Sequence, residues 1–306
     1  MKASAEQRRA SRKLRGTASV DGAGVSLVRI FGNAEASSMD PFLLLDHFGS
    51  NEHAEYLPGF PWHPHRGMET VTYLVEGKVE HGDSMGNRGA IAPGDAQWMT
   101  AGSGIIHQEM PRQGNAGPGM HGFQLWVNLP ASHKMTEPRY RSIPASAIPK
   151  ASFPGGEISV LAGEYQGLIG PTPDLIVPMV YFIVRLEPDM DFLLSIPAIY
   201  NAAAYVYQGS AAIGGLVADA SELLVLPPSS RPGAGAVAGD TFDEISAHSG
   251  PGGASFLFLG GKPLGEPIAW GGPIVMNTRK ELETAFREYR EGTFIKSRPR
   301  EAFSEL

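Results

Sequence analysis

Cysteine is absent from the 306-residue chain. That excludes disulfides, thiolate ligands and a cysteine nucleophile, so any bound metal must take nitrogen and oxygen donors. Charge is sparse as well: 19% of residues are charged against 42% apolar, the balance of a cored globular protein rather than a disordered one. The formal net charge of -7 lacks the basic excess that a phosphate-binding footprint needs, so nucleic acid is not an expected partner. No apolar run approaches the ~18 residues of a membrane-spanning helix, and no apolar segment follows Arg8-Arg9 as an export signal would require. A cytoplasmic location without membrane contact is the expectation.

What is abundant is punctuation. The 38 glycines and 25 prolines are scattered at short intervals, which implies many turns joining short strands and an all-β fold. Segments 26–32, 70–82, 96–102 and 122–129 are short, rich in β-branched or aromatic residues and bounded by Gly, Pro or Asp. Segments 158–165, 179–188, 203–214, 222–228 and 254–261 read the same way. A proline-rich stretch from Pro130 to Gly156 marks a domain boundary. The expected organisation is a basic, flexible arm over 1–20, a first domain over 21–135 and a second over 136–306. Near the end, Leu282, Ala285, Phe286 and Tyr289 recur at helical spacing behind a Thr278/Glu281 capping box, so 278–290 should be an amphipathic helix packed on a barrel.

The two halves resemble each other. Tyr73, Gly77 and Gly82 recur with the same spacing as Tyr205, Gly209 and Gly214, and "APGDAQW" (92–98) is echoed by "VAGDTFD" (237–243), so a glycine-punctuated β unit is duplicated. The residues ten and eight positions before each tyrosine are His63 and His65 in the first copy but Ser195 and Pro197 in the second. Chemistry is therefore expected in the first half only.

His63 and His65 flank a proline in "GFPWHPHRGMET" (59–70). In an extended chain residues two apart share a face, so both imidazoles can converge on one ion. His107 and Glu109 in "AGSGIIHQEMP" (101–111) repeat that spacing. A lone strand histidine is more often a hydrogen-bonded or surface residue than a ligand. Two such pairs, both missing from the duplicate, favour a metal site made of His63, His65, His107 and Glu109. Three imidazoles and a carboxylate suit a divalent transition metal, with Fe favoured by cytoplasmic availability and Ni, Co, Mn, Cu or Zn also compatible. Glu69 keeps the parity of the histidine pair but lies beyond Arg66-Gly67, so it reads as a supporting residue or salt-bridge partner. His81 lies in the duplicated hairpin, His121 begins a strand, and His47, His53, His133 and His248 have no partner at ligand spacing, so each reads as structural or solvated.

The stretches "HPHRGMETVTYLVEGKVEHGDSMGN", "PGDAQWMTAGSGIIHQEMP", "HGFQLWVNLP" and "GPIVMNT" together resemble the pirin family of the cupin superfamily, from about Ser26 to Phe294. The resemblance implies a bicupin: two antiparallel, jelly-roll-like β-barrels face to face, the first holding metal and the second lacking the ligands. By motif the family's ligands fall on His63, His65, His107 and Glu109, and the family metal is usually iron. Several members resemble quercetin 2,3-dioxygenase, which opens a flavonol with O2 and releases carbon monoxide. Others are transcription cofactors, so the alternative to an oxygenase is a redox- or metal-sensing regulator with a protein partner and little turnover. In the oxygenase reading Glu109 serves as general base for a small aromatic, flavonol-like substrate. Trp62, Trp98, Met110 and Phe123 could hold its rings, Gln124 could hydrogen-bond a ligand, and Asp46 could accept from a ligand histidine.

Overall fold

The structure is a computed structural model that describes residues 6–112, 119–229 and 241–297. Residues 237–240 of the echoed "VAGDTFD" segment lie outside the described residues. The chain forms two compact units. The first comprises Thr17–Ser37, Phe42–Ala145 and Gly265–Leu306, and the second Met1–Gly16, Ser38–Pro41 and Ser146–Leu264.

In the first unit the short apolar runs become two antiparallel sheets. The larger orders its seven strands Arg139–Ile143, Ala96–Thr100, Met68–Glu76, Met120–Asn128, Phe42–Ser50, Val25–Phe31 and Thr17–Asp21. The smaller orders four as Phe60–His65, Ile105–Arg112, Lys78–Asp83 and Arg88–Ile91. Both orders are open-ended, so neither sheet closes on itself into a barrel. Phe60–His65 is an edge strand, which tolerates Pro61 and Pro64 because their missing N–H groups cost no central ladder bond.

The second unit is built on one ten-stranded sheet. Its central ladder orders Gly156–Ala162, Met179–Leu186, Phe242–Gly261, Asn201–Ile213 and Glu222–Leu226, over a core that includes Ile158, Val160, Phe182, Val184, Phe256 and Phe258. Ser195, at one of the positions that would match a ligand histidine, is an exposed residue of the Asp191–Pro197 strand. The helix runs Arg279–Arg290 with the expected Thr278/Glu281 capping box, and no helix among the described residues is long and apolar enough to cross a membrane.

One expectation is corrected, and one segment packs elsewhere than its place in the chain suggests. The basic segment is not a flexible arm where it is described: Arg12–Arg15 pairs antiparallel with Glu222–Leu226, and Lys13 and Arg15 meet Glu222 at 2.8 and 2.9 Å. The Asp219 N–H, with Lys13 and Arg15 behind it, holds the Glu222 carboxyl down to about 2. Arg8 is buried against Asp243 at 2.6 Å and donates to the carbonyls of Pro197, Ala198 and Tyr200. A row of cations thus finds its acids far along the chain, which composition cannot reveal. Residues 265–297, within the expected second domain, pack with the first unit. Their hairpin, Ala269–Gly271 with Ile274–Met276, and the following helix belong to the first unit, where Val275 N–H donates to the Arg66 carbonyl.

Removing Arg8 would strand Asp243 as a buried, unpaired carboxylate. Arg8→Ala is expected to cost about 3–5 kcal/mol in denaturant unfolding, whereas Arg9→Ala, at an exposed position, should stay within about 0.5 kcal/mol.

Candidate metal centre

Antiparallel pairing assembles the histidines. Strand alternation puts His63 and His65 on one face of the edge strand, and the register sets His107 of Ile105–Arg112 directly across from His63. One ligand atom from each of the three lies within 4.8 Å of the others. The His63 and His65 Nε2 atoms are 3.0 Å apart, and the His107 ring centroid lies 4.4 and 5.0 Å from theirs. Gly67 makes the turn out of this strand at φ +79, and any Cβ there would collide with the Val275 carbonyl.

Hydrogen bonding leaves the right atoms free. His63 Nδ1 lies 2.8 Å from the Pro61 carbonyl and His65 Nδ1 3.3 Å from that of Pro273. Carbonyls only accept, so each Nδ1 carries the hydrogen and each Nε2 keeps its lone pair for a ligand. His107 is wholly buried and neither ring nitrogen has a partner. A buried polar group left unmade costs about 1–3 kcal/mol. Burial, and then the neighbouring imidazoles, push the pKa values of His65 and His107 well below the ordinary histidine range, so both stand neutral. Three converging imidazoles, one of them orphaned, fit a divalent transition metal.

Glu109, expected as the fourth ligand, is not in that cluster. Its carboxylate accepts from Thr72 Oγ1 at 3.0 Å, Gln97 Nε2 at 3.5 Å and Gln124 Nε2 at 2.8 Å. Pairing with the edge strand shifts register between His107 and Glu109, and this set of donors on the larger sheet holds the carboxylate.

Alternation sorts the other expected residues. Arg29, Asp46, Gln124, Thr72 and Gln97 are successive cross-strand partners, one polar row across the larger sheet. Glu69, Trp98 and Phe123 stand at odd offsets from that row, on the opposite face. Glu69 is buried and accepts from Thr100 Oγ1 at 2.6 Å, its pKa raised mainly by burial. Phe123 packs on the rings of His47 and His121. Met110 follows Glu109 and points away from it, near Gly59. Asp46 does not accept from a histidine; Arg29 binds it through Nε and Nη2 at 2.9 and 2.8 Å. Trp62, half-exposed, and Gln124 line a cavity of about 680 Å3 beside His63 and His65.

Sequence reading missed several residues. Trp126 sits edge-on to His65 with centroids 5.2 Å apart and, with Trp270, lines the cavity. The two-residue step from Gln124 would have found it. His81 stacks on Tyr140 at 4.4 Å, takes a hydrogen bond on Nδ1 from Gln97 at 3.1 Å and lies 5.6 Å from the His107 ring. No local pattern points to Trp270 or Pro273, which arrive from more than two hundred residues away.

Comparison with known proteins shows the family. Residues 24–127 match the family model described as Pirin, and residues 181–295 match that of the Pirin C-terminal cupin domain. A pirin-like protein of Caulobacter vibrioides is 41% identical over 283 residues, spanning 92% of this chain and 97% of the relative. Human pirin is 37% identical over 271 residues, 88% of each chain. A quercetin 2,3-dioxygenase structure from Acinetobacter baumannii superposes with a TM-score of 0.84 at 31% identity, covering 94% of this chain and 98% of that one. With both of its cupin domains matched and its relatives aligned over most of their length, the chain belongs to the pirin family.

Proposed function

We propose that the protein is a metal-dependent dioxygenase that opens a flavonol such as quercetin with O2. The observation that carries this reading is the trio of converging imidazoles, with His107 buried and unpartnered, beside an aromatic-walled cavity of about 680 Å3. Similarity to a quercetin 2,3-dioxygenase supports the substrate class. Held by His63, His65 and His107, a divalent metal, taken here as iron, supplies Lewis acidity and a one-electron path between an electron-rich enolate and O2.

The chain's own residues do the rest. Glu109 accepts the proton of the substrate's enolic hydroxyl, since it is the buried carboxylate two residues from His107. Thr72, Gln97 and Gln124 hold its oxygens in place, so the base is oriented before substrate arrives. Trp62, Trp126 and Trp270 offer flat apolar faces to a planar ligand and displace water. The carbonyls of Pro61 and Pro273 fix the rings of His63 and His65.

Two outcomes are expected. Metal titration should give one high-affinity equivalent per chain, and His63→Ala or His107→Ala should weaken it by more than the roughly 10–100-fold that losing a supporting residue costs. Loaded with Fe(II), the protein should take up O2 and bleach quercetin. Glu109→Gln should lower kcat by about 10²–10⁴ while keeping the metal, and Glu69→Gln should stay close to wild type. Full metal load with no O2 uptake in any metal form would defeat the oxygenase reading and favour a metal-sensing regulator.

A further inference from the structure

The cavity wall carries one cation and two carboxylates. Arg29 donates Nε to Asp46 Oδ1 at 2.9 Å and Nη2 to Asp46 Oδ2 at 2.8 Å, and the same Nη2 reaches Asp21 Oδ2 at 3.0 Å. All three residues line the cavity. The guanidinium is therefore engaged by two acids, and the wall sums to one negative charge. An anionic ligand group entering here meets repulsion in a partly desolvated site.

Asp46 is nevertheless an unsaturated acceptor. A carboxylate offers about four lone-pair sites, and Arg29 uses one on each oxygen. Asp46 also stands in the polar row that holds the base: it pairs across the sheet with Gln124, which donates to Glu109 at 2.8 Å. Strands are spaced about 4.8 Å apart, so Asp46 stands one strand-width, about 5 Å, beyond Gln124 along the cavity wall, on the side away from the base.

From these observations we propose that Asp46 is the specificity-determining residue of the cavity. It accepts phenolic O–H groups from the far ring of a planar ligand and selects uncharged, polyhydroxylated aromatics over carboxylate-bearing ones. The assignment rests on this cavity being the substrate pocket.

The test is ligand binding to metal-loaded protein without O2, read by quenching of tryptophan fluorescence, since three tryptophans line the cavity. The probes are quercetin, galangin, which lacks quercetin's two hydroxyls on the far ring, and a flavonol bearing a carboxylate on that ring. Wild type should bind quercetin about tenfold more tightly than galangin, the worth of a hydrogen bond to a charged group at its lower limit, and bind the carboxylate most weakly. Asp46→Asn, which keeps only a neutral acceptor, should narrow the quercetin–galangin gap, and Asp21→Asn, at an exposed position, should relieve the penalty on the carboxylate. A wild type that binds none of the probes, or binds quercetin and galangin equally, overturns the assignment, as does a full gap retained in metal-loaded Asp46→Asn. Should Asp46→Asn fail to fold, the wild-type ligand series and Asp21→Asn still decide. Selective binding without turnover in air would sink the dioxygenase reading and leave this one standing.

Discussion

The two-residue alternation of the β-strand is the constraint on which this site depends. In the larger sheet it places Arg29, Asp46, Gln124, Thr72 and Gln97 in a single row on one face, and three members of that row converge on Glu109 of the smaller sheet. In the smaller sheet it puts His63 and His65 on one face and His107 opposite His63. A slip of one residue in either sheet would turn the row or the histidines to the other side. Register here is a condition of function as well as of stability.

What keeps that register lies outside the sheets. Arg66, next to His65, is fully buried: it donates to Glu288 at 2.8 Å and to the Phe294 carbonyl at 2.7 Å, with its guanidinium 4.2 Å from the Phe294 ring centroid. Lys134, also buried, joins the Gly67 and Val275 carbonyls and Asn128 Oδ1. The segment after residue 265 thus grips the turn that follows His63 and His65, and it brings the Pro273 carbonyl to His65 and Trp270 to the cavity. Buried cations with this many partners are costly to disturb, because removing one leaves several acceptors unmade.

These dependencies explain what was legible in the sequence. His63, His65 and His107 were, because their relation is a local spacing repeated once and lost in the duplicate copy. The helix was too, since Thr278 and Glu281 cap it locally and both capping bonds form. The face that Glu69, Trp98 and Phe123 occupy was not legible, because it depends on pairing register, which no short window contains. Arg8 looked like part of a solvated arm because its partner Asp243 lies 235 residues away. The same distance problem hid Pro273, Trp270 and the membership of the C-terminal segment in the first unit.

The claim on which the account stands is that three imidazoles, brought together by strand pairing, hold one ion. X-ray absorption at the metal edge of protein loaded with a single equivalent of Zn(II) reports the donors directly. The account predicts three imidazole nitrogens at about 2.0–2.1 Å with oxygen completing the shell. A shell containing fewer than two imidazoles would place the ion elsewhere and contradict it.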